Sequence, residues 1–466
     1  MNKYKFIAFL ILISCFSTIS LAQNKGAITP NVIKQIKEAY KKDSHSKSLT
    51  NAISNNKLNS LALNRENIGQ VDHFFKYKVK VKGITDQKSS GRCWMFSGLN
   101  VLRPKIIEKY NLSNFEFSES HLFFWDQLEK ANLFLEIIIK TGKKPIDDRT
   151  VQWAFKNPVN DGGVWNSLAN LLIKYGAVPK SAMSETQSSN NTRYLGKILN
   201  TKLREDGLEL RKMSANKTKV DKIEKRKLEM LSDIYKILAY NIGEPPTEFS
   251  WRYKNTKDSI SEEKTYTPKS FLKEVLDVNL EDYVLLMDDP SRPYNKLYEI
   301  QYDRNVQEGK NWVYINIPSS EIKKFALGSI KNNEAMYFSC DVGKQLNRDA
   351  GLLSMNNYDY ASLYNIDFGM NKKERILSRQ SGSSHGMALV GVDVDQNENP
   401  TKWLIENSWG ANAAYNGYLT ATDKWFDEYM FRVVVDKKFV DAKTLKILKQ
   451  KPTQLPPWDP MFTPDK

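Results

Sequence analysis

Gly83-Ile84-Thr85-Asp86-Gln87-Lys88-Ser89-Ser90-Gly91-Arg92-Cys93-Trp94-Met95-Phe96-Ser97 decides the fold. A β-prone run from Tyr77 to Ile84 enters a Gly/Ser-rich turn, and an apolar helix follows at once. Cys93 stands at the mouth of that helix. The positive end of a helix dipole stabilises a thiolate, so the placement predicts a readily ionised nucleophile. Gln87, six residues upstream across the turn, can fold back beside it. Its carboxamide N–H and the Cys93 backbone N–H are the two donors that an oxyanion hole requires. Taken alone, Cys93 reads as a small buried hydrophobe. Its spacing to Gln87 and the helix mouth reverse that reading.

A nucleophile of this kind needs a base and a group to orient it. Only four histidines are available: His45, His73, His121 and His385. His45 lies in a Lys/Ser-rich stretch, and His73 and His121 are flanked by aromatics and read as packing or surface residues. His385 opens the apolar strand His385-Gly386-Met387-Ala388-Leu389-Val390-Gly391-Val392, whose small residues face a crowded neighbour. One strand and turn later comes Lys402-Trp403-Leu404-Ile405-Glu406-Asn407-Ser408-Trp409-Gly410. Here Asn407 can hydrogen-bond the imidazole, and Trp409 can cover that bond from water. An amide suits a thiolate–imidazolium pair, which needs orientation more than further charge. Cys93, His385, Asn407 and Gln87 form the candidate catalytic set.

Gln-x5-Cys-Trp with a downstream His-Gly and Asn-Ser-Trp-Gly resembles the papain superfamily of cysteine peptidases. The Cys93-to-His385 distance is roughly twice the 130–150 residues of the plain papain-like pattern. That length and a series of sequence words resemble the bleomycin hydrolase / aminopeptidase C branch. The words are Gln87 to Trp94, Phe115-Glu116-Phe117-Ser118, Leu122-Phe123-Phe124-Trp125-Asp126, Asn160-Asp161-Gly162-Gly163-x-Trp165 and Lys174-Tyr175-Gly176-x-Val178-Pro179-Lys180. Further on come Cys340-Asp341-Val342-Gly343-Lys344, Glu406 to Gly410, Thr422-Asp423-x-Trp425-Phe426 and Trp458-Asp459-Pro460-Met461. The resemblance implies an α+β, papain-like two-lobe fold, a helical lobe facing an antiparallel β lobe, with a helical insertion.

Met1 to Ala22 has the form of a signal peptide: Lys3 and Lys5, an apolar run from Phe6 to about Ile19, then Ser20-Leu21-Ala22. Export, to the periplasm, is the expectation, with no membrane span left after cleavage. A lipoprotein reading with Cys15 lipidated is disfavoured, because apolar residues continue past Cys15. Only Cys93 and Cys340 remain beyond the leader. Bridging them would destroy the nucleophile, so both are expected to stay out of disulfides. No CxxC pair, HExxH or nucleotide loop occurs, and no cofactor or metal is called for. The net charge of +15 reads first as a lysine-rich, soluble surface. Arg211, Lys212, Lys217, Lys219, Lys222, Lys225, Arg226 and Lys227 cluster in one stretch, but no aromatic residues interleave with them. Nucleic acid is therefore disfavoured as a partner.

Beyond the leader, residues 23–82 read as an N-terminal arm, with an amphipathic helix near Pro30, that the resembled family wraps around its catalytic body. Residues 83–194 form the helical lobe with the nucleophile. Its first helix should bend or end at Pro104, and further helices fall at 118–141 and 164–175. Residues 195–246 carry a charged helical pair, on which Val220, Ile223, Leu228, Leu231, Ile234, Ile237 and Leu238 make one apolar stripe. The resemblance makes this insertion the oligomerisation arm of a homohexamer. Residues 247–450 form the β lobe, with strands at 283–286, 297–302, 312–317, 335–340, 386–393, 402–407 and 429–435. Residues 451–466 form a tail that, in the family, enters the cleft.

By resemblance, Asn160, Asp161, Gly162 and Gly163 lie along the substrate, their backbone pairing with an extended peptide. Trp409 belongs with the substrate-lining residues. The family's tail carboxylate holds the substrate's free amine, which limits cleavage to N-terminal residues. Here the usual Gly-Ala-Leu-Ala ending is replaced by Phe462-Thr463-Pro464-Asp465-Lys466, which places a cation, Lys466, beside that carboxylate. An exported aminopeptidase acting on peptides is the reading. An open-cleft endopeptidase, a basic polyanion-binding scaffold and a cell-wall amidase are its rivals. Gly382-Ser383-Ser384-His385-Gly386 also matches G-x-S-x-G, but the only histidine after Ser384 is the very next residue, so a nucleophile elbow fails.

Overall fold

The computed structural model describes residues 26–40 and 42–461. The leader, the tail beyond Met461 and Lys466 lie outside the described residues. The chain divides into two compact units, Met1–Leu63 and Asn64–Lys466. In the first, helices span Pro30–Ala39, Ser44–Asn55 and Leu58–Ala62. Thr29 caps the first by accepting from the Val32 amide, with Pro30 at its opening position, where the missing N–H costs nothing.

Helices of the second unit include α1 (Cys93–Lys109), α2 (Glu119–Lys140), α3 (Trp165–Tyr175), α4 (Arg193–Ala215) and α5 (Val220–Ile242). α1 is apolar on nearly every face and correspondingly buried, including Trp94, Phe96, Leu99 and Leu102. Of the two outcomes expected at Pro104, a bend or an end, the helix does not take the second. Ile106 and Ile107 beyond the proline are buried, and their packing carries the helix on to Lys109. Gly98 lets α3 approach closely, since a Cβ there would lie 2.2 Å from Leu168 Cδ2. α4 and α5 form the expected pair, but the stripe on α5 is narrower than the sequence suggests. Ile223, Met230, Ile234, Leu238 and Ile242 are buried, spaced at helical intervals, while Val220 and Leu228 are exposed.

A single large sheet faces these helices. Its strands are β1 (Tyr77–Lys78), β2 (Tyr283–Met287), β3 (Lys296–Ile300), β4 (Val313–Asn316), β5 (Met336–Cys340), β6 (Leu346–Asn347), β7 (Leu352–Leu353), β8 (His385–Val394), β9 (Pro400–Glu406), β10 (Tyr418–Thr422), β11 (Met430–Asp436) and β12 (Thr453–Leu455). Their order is β12-β3-β4-β2-β11-β5-β8-β9-β10-β7-β6, with β1 paired to β8. The centre is antiparallel, as expected, while three pairings, β12/β3, β2/β4 and β10/β7, are parallel.

α1 lies on β8. Ser97 Oγ donates to Gly386 O at 2.7 Å, and a Cβ on Gly386 would lie 2.6 Å from Tyr337 Oη and 3.3 Å from Trp94 Cα. Gly386 is thus the small residue that lets the start of α1 sit against the start of β8. Among the described residues no helix is long and apolar enough to cross a membrane.

Candidate active site

The turn before α1 is built around Gln87. Its backbone N–H donates to Ser408 O (2.8 Å), Asp86 pairs with Trp409, and the Gly410 amide donates to Thr85 O (3.1 Å). This short antiparallel ladder joins the turn before Cys93 to the Asn-Ser-Trp-Gly turn. The buried Gln87 side chain is held at both ends. Ser408 Oγ donates to its Oε1 (2.6 Å), and its Nε2 donates to Ser90 O (2.7 Å). A carboxamide nitrogen has two hydrogens, so one remains to serve an oxyanion.

Arg92, fully buried, grips the bend just before Cys93. Its two terminal nitrogens meet Glu185 at 3.1 and 2.8 Å, and its Nε donates to Ser90 Oγ (3.1 Å). Cys93 is the first residue of α1 and is 1% exposed; neither it nor Cys340 is in a disulfide.

Asn160 to Gly163 lies against the same turn. The Gly91 amide donates to Asp161 Oδ2 (3.1 Å), Thr192 Oγ1 donates to the same oxygen, and Trp94 Nε1 donates to Asp161 O (2.6 Å). Lys130 Nζ reaches Asn160 O (2.8 Å) and Gly162 O (2.6 Å). A Cβ on Gly163 would fall 2.7 Å from the Trp94 indole. The glycine is therefore demanded by packing as well as by any ligand, and Asp161 braces the nucleophile turn.

His385 begins β8, opposite Cys340 in register, and is 4% exposed. The residues that lead into it are bonded to β5 and its end. Ser381 Oγ donates to Asp341 Oδ2 (2.7 Å), Ser383 hydrogen-bonds Ser339, and the Ser384 amide donates to Cys340 O (2.9 Å). Asn407 follows β9 directly. Its Oδ1 accepts from the Ser408 amide (2.8 Å) and lies 2.8 Å from His385 Nε2. A backbone N–H can only donate, so this oxygen is an acceptor for both neighbours. Nε2 therefore carries a proton, and Nδ1 is left as the basic nitrogen. Trp409 stacks on the imidazole with centroids 5.1 Å apart, and the Arg348 guanidinium sits 4.6 Å over the indole. Burial pushes the His385 pKa down to about 4; the Asn407 bond opposes this, and the charge of Arg348 adds to it.

Behind the site, Arg103 on α1 donates to Glu406 Oε1 and to Gly83 O, both at 2.6 Å. Both side chains are essentially fully buried. Burial pushes Glu406 up to about 7 against the pull of Arg103. One ion pair thus ties α1 to the residue preceding Asn407.

The other histidines stand apart. His121 is buried in α2, and His73 stacks on Tyr415 and hydrogen-bonds Thr420 Oγ1. The sequence reading missed Ser408, Asp341, Arg348 and the Arg103–Glu406 pair. Ser408 and Asp341 lie inside quoted motifs, which was a usable signal, whereas nothing in the sequence marks Arg348.

A thiol at a buried helix start, an orienting amide on the imidazole and a helical lobe against a sheet define a papain-like cysteine peptidase. Residues 27–462 match the Peptidase C1-like family model, and the chain belongs to that family. It is 40% identical to bleomycin hydrolase of Mus musculus, over 86% of this chain and 90% of that protein. It is 37% identical to aminopeptidase C of Lactococcus lactis subsp. cremoris, over 93% and 99% of the two chains. The crystal structure of PepW from Lactobacillus rhamnosis superposes with a TM-score of 0.91 at 38% identity, covering 94% of this chain and 99% of that one.

Proposed function

We propose that the chain is an exported cysteine aminopeptidase that removes N-terminal residues from peptides, with Cys93 as nucleophile and His385 as its base. In this reading the Cys93 thiolate attacks the peptide carbonyl, and Gln87 Nε2 with the Cys93 amide holds the oxyanion. His385 then protonates the leaving amine, and water attacks the acyl-thioester, with His385 taking its proton, to release the acid. The observation that carries the reading is the shared acceptor Asn407 Oδ1, which directs the basic Nδ1 of His385 away from the amide.

Support for exopeptidase action comes from the tail. Arg292 holds Asp459 (2.5 Å), Arg432 donates to Met461 O (2.5 Å), and the Met461 side chain is buried. Pro460 O would lie 3.6 Å from a Cβ on Gly382, three residues ahead of His385. Pro460 thus lies beside the segment that leads into His385. Export rests on the leader sequence. Hexamer assembly rests on the family resemblance and on apolar residues exposed along α4 and α5, including Tyr194, Ile198 and Tyr240.

The test is the cleavage rate of one fluorogenic peptide amide, with its N-terminus free and then acetylated, under reducing conditions. Strong preference for the free amine, abolished by Cys93→Ala, is the expected result. Equal rates would make the protein an endopeptidase, and undiminished cleavage by Cys93→Ala would refute the assignment of the nucleophile.

A further inference from the structure

A pocket of about 900 Å³ opens beside the site. Asn160, Gly162 and Gly163 form part of its wall, tail residues Pro457 to Asp459 another part, and Arg379, six residues ahead of His385, a third. It therefore touches the segment packed against the turn before Cys93 and the segment leading to His385. Its charge is one-sided: Lys130, Arg149, Lys156, Arg204, Arg304 and Arg379 line it against two carboxylates, Asp303 and Asp459.

Asp459 is already bonded to Arg292, and Lys130 to Asp126. No carboxylate forms an ion pair with the other five cations among the described residues. Two of them are held in place by neutral acceptors. Arg204 donates to Phe155 O (2.9 Å) and Lys156 O (3.1 Å), and Arg304 donates to Gln307 O (3.0 Å) and Asn311 Oδ1 (2.8 Å). Such bonds fix a guanidinium without cancelling its charge. Arg149 is likewise parked 4.2 Å over the Trp458 ring.

We propose that this pocket binds carboxylate side chains of acidic peptides, so that the enzyme favours substrates with Glu or Asp near the scissile bond. The proposal rests on the peptidase reading of the site. Nucleic acid is the rival polyanion, and the aromatic rings argue against it. Trp153 is stacked on Tyr302, Phe155 packs edge-on against Phe134, and Trp458 is covered by Arg149. Base-stacking platforms need open ring faces.

The test uses the full chain carrying Cys93→Ala and fluorescence anisotropy with two labelled octapeptides that differ only in Glu against Gln. The Glu peptide should bind roughly tenfold more tightly at low salt, and the preference should shrink as salt screens it. In the added double variant Arg149→Gln/Arg379→Gln, both at exposed positions, the preference should fall to about twofold or less. Equal binding of the two peptides, or a preference that survives the double variant, would overturn the proposal. So would tighter binding of an oligo-dT of equal charge. Turnover of a neutral peptide by the unsubstituted enzyme is scored separately, so loss of the peptidase reading and loss of the charge preference give different results.

Discussion

Ser408 Oγ donates to Gln87 Oε1 at 2.6 Å, joining residues 321 positions apart. The bond fixes which end of the carboxamide is nitrogen and turns that end toward Ser90 and the start of α1. Without it, Gln87 loses the contact that distinguishes its two ends. Ser408→Ala should lower kcat by roughly tenfold with little change in KM, while Gln87→Ala, which removes the proposed oxyanion donor itself, should cost about 10²–10³ in kcat. Steady-state kinetics beside a thermal melt would decide. If Ser408→Ala changes only KM or only stability, the hydroxyl does not position the donor.

His385 and Cys93 should titrate as a pair. Burial, aided by the charge of Arg348 and opposed by the Asn407 bond, holds the imidazole near 4, so an imidazolium at neutral pH requires a nearby negative charge. In Cys93→Ala no thiolate can form, and His385 should stay neutral until the pH falls to about 4. In the unsubstituted enzyme the thiolate should raise that value by several units. Imidazole ¹⁵N shifts across a pH series read this directly. Identical His385 titrations in the two proteins would mean that no ion pair forms.

The residues of the candidate set could be placed from the sequence because each lies in a short motif whose form depends on local order: a thiol at a helix start, a histidine opening a strand, an amide just after one. What could not be read lies between motifs. Arg103 and Glu406 are 303 positions apart, and their contact exists only because α1 lies on β8, the strand paired with β9. The narrower stripe on α5 is similar. Leu228 is as apolar as Leu238, but only Leu238 faces the neighbouring helices, and periodicity does not say how wide the covering surface is. Strand β10 was missed because Tyr418-Leu419-Thr420-Ala421-Thr422 alternates weakly, although Leu419, Thr420 and Ala421 are buried. Pro104 does not end its helix for the converse reason, since burial on both sides outweighs the single hydrogen bond it removes.

Glu119 gives the fold a pH dependence of unusual sign. It is buried at the start of α2, and burial pushes its carboxyl up to about 8, with Lys180 opposing and Glu185 reinforcing. A carboxyl raised in the folded state keeps its proton where the unfolded chain releases it. Stability therefore falls as pH rises from about 4.5 towards 8, the range between the ordinary and the folded values. Glu119→Gln should melt near the unsubstituted protein at pH 5 and above it at pH 8. A variant that is less stable at pH 8 would show that the ionised carboxylate is held by Lys180 and Arg92 after all.

Arg103 and Glu406 form a buried link between α1 and the end of β9. Each is buried, and the one hydrogen bond between them is the principal compensation for two desolvated groups. Removing one partner strands the other, so Arg103→Met should cost about 3–5 kcal/mol in chemical denaturation. Replacing both, as Arg103→Met/Glu406→Gln, should recover most of that loss, because no buried charge is then left alone. Activity should not recover with it. Arg103 also holds Gly83 O, and Glu406 precedes Asn407, so the double variant keeps its stability but loosens the register between the nucleophile turn and the orienting amide. A kcat that remains several-fold low in a protein of restored stability is the expected signature. Recovery of both together would make the pair a stabilising contact with no role in aligning the site.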